Sequence, residues 1–149
     1  MPDIQGLKVA ILVDNGFEEV EMVEPRKALD AAGARTAIIS PAGDHVRSWN
    51  MAEWSKSYPV DVPLDQVKAG AFDALLLPGG VMNPDKLRMR PHAVEFTEAF
   101  FGAGKPVAAI CHGPWMIIEA PPEDAALRPG PRSKRICGMR EPNGSMRPR

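Results

Sequence analysis

Leu7-Lys8-Val9-Ala10-Ile11-Leu12-Val13 is a run of apolar and β-branched residues that ends at Asp14-Asn15-Gly16. That is the pattern of a strand buried on both faces and closed by a turn, the opening of a parallel sheet. Downstream the period changes. From Glu18 to about Ala32, Val20, Val23 and Leu29 lie near one helical face, glutamates gather at the start and Gly33 provides a stop. Pro25 falls inside this pattern, where its missing N–H should kink or break the helix, or mark where a short turn gives way to the main helix. Residues 34–40 supply a second strand. A strand, a helix and a strand make a right-handed crossover unit, so the fold class is α/β.

The same alternation continues. Residues 41–71 mix Gly43, Trp49, Trp54, Tyr58, Pro59 and Pro63 without long periodicity and read as short strands with a connecting loop. Phe72–Leu77 is another buried strand, stopped by Pro78-Gly79-Gly80. Pro91–Phe101 is an amphipathic helix ending at Gly102 or Gly104, and Lys105–Ile110 is the strand that leads into Cys111.

A chain of 149 residues fits one domain, and 44% apolar with 25% charged residues is ordinary globular composition. A net charge of −1 gives no basic excess to attract nucleic acid, and no apolar run is long enough to span a bilayer. Met1-Pro2-Asp3-Ile4-Gln5 lacks the pattern of a secretory signal, which points to the cytoplasm. There the two cysteines, Cys111 and Cys137, are not expected to pair. Neither has the spacing of a zinc site, and no metal or cofactor is expected. His45 and His92 read as surface residues, and Trp49, Trp54, Tyr58, Met82 and Met89 as core filling by default.

In open α/β sheets ligands bind beyond the carboxyl ends of the strands. Glu18, Glu19 and Glu21 follow the first strand, Gly79 and Gly80 a middle one, and Cys111-His112-Gly113-Pro114 the last. A cysteine at a sharp strand-to-helix turn has its sulfur exposed near the positive end of the next helix, which favours the thiolate. The plainer alternative is a small buried core residue. A Gly-Gly turn lets another backbone approach and offers N–H groups to an oxyanion. Glu18 and Glu19 serve equally well as solvated charges at a helix start.

Gly16-Phe17-Glu18-Glu19-Val20-Glu21, Leu77-Pro78-Gly79-Gly80 and Ala109-Ile110-Cys111-His112-Gly113-Pro114 resemble, in order and spacing, the three signature segments of the ThiJ/PfpI family. The resemblance covers about residues 7–119. It implies a flavodoxin-like parallel sheet with helices on both faces and a cysteine-dependent hydrolase, deglycase or glyoxalase-like enzyme acting on glycated groups, 2-oxoaldehydes or peptides. By the same resemblance Cys111 is the nucleophile, Glu21 lies beside its sulfur, and His112 is oriented by Asp85 from a neighbouring subunit of a homo-oligomer. Gly79, Gly80 and Glu18 would contribute to the oxyanion and substrate site, with the backbone amides of Gly80 and His112 forming the hole. The alternatives are a redox or stress sensor oxidised at Cys111 and an inactive truncated product. A class I glutamine amidotransferase is similar in fold and elbow, but no His-x-Glu pair follows Cys111.

The chain changes character near residue 120. Residues 1–120 hold 11 basic and 16 acidic residues, and residues 121–149 hold 7 and 3, with six of the sixteen prolines. The expectation is a domain over 1–120 that lacks the C-terminal elements of the fold, and a non-family, disordered tail over 121–149. Reading the codons one frame over from Asp124 permits a string like the family's continuation, which suggests a frameshift between codons 120 and 123.

Overall fold

The computed structural model of the chain describes residues 3–121. In chain order these form β1 (Lys8–Leu12), β2 (Phe17–Glu18), α1 (Glu19–Ala31), β3 (Arg35–Ser40), β4 (His45–Asn50), β5 (Glu53–Pro59), β6 (Val62–Pro63), β7 (Ala74–Leu77), α2 (Met82–Arg88), α3 (Pro91–Gly102), β8 (Val107–Ala109) and α4 (Pro114–Glu119). Two short 3-10 turns, Leu64–Gln66 and Ala69–Ala71, link β6 to β7.

Five strands make a wholly parallel sheet in the order β6-β3-β1-β7-β8. Leaving aside the two-residue β6, this is the flavodoxin-like order, in which the chain steps from β1 out to β3 and then returns across to β7 on the other side. The connections after β1 and β7 diverge there, opening a crevice at the carboxyl ends of the strands.

Side-chain alternation divides the core. Val9, Ile11, Ile38 and Leu76 pack with Phe17 and Met22 of the α1 layer, whereas Leu12, Ile39, Leu75 and Leu77 pack with Leu87, Phe96, Phe100 and Met116 from α2, α3 and α4. Both faces are covered, which is why β1 and β7 read as continuous apolar runs.

Three details differ from expectation. Helix α1 runs through Pro25 without a break; the proline forfeits one backbone hydrogen bond, and packing of the buried Met22 keeps the helix in place. The inward face of α1 is also rotated, with Met22 fully buried and Val20 58% exposed. Finally, Trp54 and Met89 do not fill the core. Trp54 is 40% exposed because β5 is the outer strand of a separate three-stranded sheet, β2-β4-β5, and Met89 is 72% exposed after the end of α2. Tyr58 instead tilts against Phe17, with ring centroids 5.8 Å apart.

No helix among the described residues is long and apolar enough to cross a membrane. The expected tail, its frameshift, the missing C-terminal elements and Cys137 concern residues outside the described ones.

Candidate active site

The strand-to-helix turn after β8 gives Cys111 a φ of +56°. The left-handed region costs a non-glycine residue about 1–2 kcal/mol, so the surroundings must impose it. They do so through close backbone contacts. Gly113 N–H donates to the Ile110 carbonyl at 2.7 Å, and Ile110 N–H donates to the Leu77 carbonyl at 3.1 Å. Gly113 itself lies so near the Leu77 carbonyl that any Cβ would collide with it. The turn is thereby pressed against the end of β7, and Cys111 is left exposed with Sγ 3.2 Å from His112 Nδ1.

Gly79 joins this turn to α1. Its N–H donates to Glu21 Oε2 at 2.8 Å. A Cβ on Gly79 would lie 2.5 Å from that oxygen and 2.7 Å from Cys111 Cβ, so the glycine is the thin partition between carboxylate and cysteine. Gly79 thus touches both Glu21 and the Cys111 turn. Gly80 takes a φ of +76°, and a Cβ there would meet Gly16 O and Glu18 N at 2.9 Å. Neither Gly80 N–H nor His112 N–H finds an acceptor among the described residues. Both N–H groups therefore stay available as donors, one at the turn after β7 and one next to Cys111 in the chain.

The other predicted residues face elsewhere. Glu18 Oε1 accepts the Met51 N–H at 3.2 Å, at the tip of the β4–β5 hairpin. Glu19 accepts Ser48 Oγ–H at 2.8 Å and lies 3.6 Å from Lys56 Nζ. Hydrogen bonding from Ser55 above all, helped by Ser48, Lys56 and Tyr58 and opposed by burial, holds its carboxyl below the ordinary glutamate range. Both side chains therefore fasten α1 to the hairpin. Asp85 Oδ1 is engaged by Arg88, at 2.7 Å from Nε and 2.6 Å from Nη2. Arg88 stacks over Trp115 at 5.9 Å, and Trp115 meets His112 edge-on at 4.9 Å. Within one chain, Arg88 and Trp115 thus link Asp85 to His112.

Three residues of the constellation escaped the sequence analysis. Asn83 is fully buried; its Nδ2 donates to the carbonyls of Pro78 (2.9 Å) and Gly79 (3.1 Å), and its Oδ1 accepts the Asp14 N–H at 2.7 Å. Asp14, 2% exposed, pairs through Oδ2 with Arg90 Nε at 3.2 Å. An asparagine shortly after Gly-Gly reads in sequence as a turn former, and nothing marks it as buried.

A cavity of about 750 Å³ lies by the ends of β3 and β6 and the start of α3, lined by Ser40, Leu64, Asp65, Arg90 and His92 among others. None of Glu21, Gly79, Cys111 or His112 lines it, and Cys111 is exposed. Among the described residues no three His, Cys, Asp or Glu side chains are grouped to hold a metal ion.

Residues 7–122 match the DJ-1/PfpI family. General stress protein 18 of Bacillus subtilis is 39% identical over 132 residues, covering 88% of this chain and 74% of its own. Protein/nucleic acid deglycase 2 of Escherichia coli is 40% identical over 114 residues, 76% of this chain and 64% of its own, so this chain spans less than two thirds of that relative. Among solved structures, a two-domain protein of Anabaena variabilis with DJ-1/ThiJ/PfpI-like and ferritin-like domains superposes with a TM-score of 0.69 at 34% identity, covering 76% of this chain and 32% of that one.

Proposed function

The chain belongs to the DJ-1/PfpI family, and on that premise we propose that it is a cysteine-dependent deglycase, acting in the cytoplasm on small 2-oxoaldehydes and on the adducts they form with amines. The observation that carries this reading is Cys111, exposed at a φ of +56° with its sulfur 3.2 Å from His112 Nδ1. The deglycase name of a relative 40% identical supports the substrate class.

The chemistry needs a nucleophile, an anion site and a proton carrier. An amine adduct first expels its amine, restoring the aldehyde; the Cys111 thiolate then adds to the aldehyde carbon, forming the C–S bond and placing negative charge on the former carbonyl oxygen. The free N–H groups of Gly80 and His112 receive that oxyanion. A proton is then taken from the carbon bearing sulfur and returned to the neighbouring carbon, which converts the adduct into a thioester of a 2-hydroxy acid. Water cleaves the thioester, releasing the acid and restoring the thiol. One carbon is oxidised as its neighbour is reduced, so no external oxidant is required. Glu21, one glycine away from the sulfur, and His112 are the groups placed to carry the proton. In a homo-oligomer Asp85 of a second copy orients His112.

The test is to quench the full chain during reaction with isotope-labelled methylglyoxal and map the label by peptide mass spectrometry. Label confined to Cys111 is expected; product formation with Cys111 unlabelled would overturn the proposal. The second reading, a redox sensor, draws on the same exposed sulfur and free amides, which suit a sulfinate. Selective gain of two oxygens at Cys111 under mild peroxide, without turnover of any carbonyl substrate, would favour it.

A further inference from the structure

We infer that Asn83 is a positioning residue for the reaction: its side-chain amide sets the direction of the two N–H groups of the Gly79–Gly80 turn. The inference rests on the proposed use of that turn beside the Cys111 thiolate.

Across a trans peptide the carbonyl of one residue and the N–H of the next point in opposite directions. Asn83 Nδ2 holds the Pro78 carbonyl at 2.9 Å, and the following N–H, that of Gly79, accordingly points the other way, where it meets Glu21 Oε2 at 2.8 Å. The same amide holds the Gly79 carbonyl at 3.1 Å, supported by Glu18 N–H at 3.4 Å. The Gly80 N–H is thus directed away from Asn83, and no described residue accepts it.

Without Asn83 the Gly79 carbonyl would be left with the longer 3.4 Å bond from Glu18 N–H alone. Gly79 and Gly80 have no side chains to resist a rotation of the peptide between them. A rotated plane would present the Gly79 carbonyl where the N–H should be, placing lone pairs against the developing oxyanion. Asn83 is itself well anchored. It is fully buried, its Oδ1 is fixed by the Asp14 N–H at 2.7 Å, and Asp14 is held by Arg90. The neighbouring Pro84 and Leu87 of α2 are buried too. A residue that merely satisfied buried carbonyls would affect folding alone; one that aims the turn affects the chemical step in a protein that still folds.

The experiment compares the full chain with Asn83→Ala and Asn83→Ser, the serine being a shorter donor able to reach one carbonyl. Three quantities are read: kcat and KM on methylglyoxal, the thermal transition, and hydrogen exchange of the Gly79 and Gly80 amides by NMR. For Asn83→Ala we expect kcat to fall about 10- to 100-fold with KM within about twofold, since the loss falls on the transition state. Gly79 amide exchange should accelerate well beyond the change in core amides, and Asn83→Ser should recover part of both effects. If Asn83→Ala does not fold, the serine variant decides by the same criteria. A folded variant with unchanged kcat, or with Gly79 exchange rising only in step with the core, overturns the inference. Absence of turnover in the unaltered chain would instead sink the proposed function, and the amide exchange would still decide whether Asn83 holds the turn.

Discussion

Two non-glycine residues among those described have positive φ, Met51 at +54° and Cys111 at +56°. Their dihedral angles are nearly the same and their settings are opposite. Met51 lies at the tip of the β4–β5 hairpin, 86% exposed, in a two-residue connection where the twist of paired strands favours positive φ. Cys111 lies where the ends of β7 and β8 meet, against a carboxylate held one glycine away and beside a backbone approach that leaves no room for a Cβ at Gly113. Strain at Met51 is a consequence of turning a chain. Strain at Cys111 is imposed by surroundings that also supply a histidine, a glutamate and free N–H donors, and that company distinguishes a site from a turn.

Substitutions that act on one region and spare the other sharpen the contrast. The largest effect is expected from Gly113→Ala. The new methyl group would run into the Leu77 carbonyl, with the Ile110 carbonyl at 2.9 Å on another side, and both are backbone atoms. Overpacking of this kind costs about 1–3 kcal/mol of stability. Displacing the Cys111 turn should lower kcat/KM by about 100-fold. Steady-state kinetics and a denaturant titration check both, and near-normal turnover in a folded variant would mean that the elbow's fit against β7 is dispensable.

A smaller effect, of opposite sign, is expected at the hairpin. Met51→Gly relieves the left-handed strain and exposes little new surface, so stability should stay level or rise by up to about 1 kcal/mol, with turnover unchanged. A loss of turnover would show that the two strained residues are coupled.

The smallest effect concerns acid. The Glu19 carboxyl is held below its ordinary value of 4.5, chiefly by Ser55, so its ionised form favours the folded hairpin. That contribution is fully present above the ordinary value and is lost as pH falls through the lowered one. Exchange of the β4–β5 amides, compared with that of the central sheet, should accelerate selectively in this range. Glu19→Gln should remove the selectivity.

Much of the fold was legible because the central strands are buried on both faces. β1 and β7 announce themselves as apolar runs, and the glycines that end α1 and α3 stand where the helices stop. Helix α2 was not legible, because seven residues with Pro84 inside them resemble an extension of the Gly-Gly turn. The site divides in the same way. Cys111, Gly79 and Glu21 follow strand ends and could be placed from sequence, whereas the burial of Asn83 depends on α2 folding back against the turns that follow β1 and β7. Glu18 and Glu19 allowed two readings in sequence. The hairpin, whose pairing was not read in advance, takes both of their side chains.

Whether Cys111 is the nucleophile is decided by turnover of methylglyoxal by the full chain and by its Cys111→Ala variant at matched folded concentration. The former should form a 2-hydroxy acid, and the latter none above the uncatalysed rate. Equal rates in the two proteins would contradict that role.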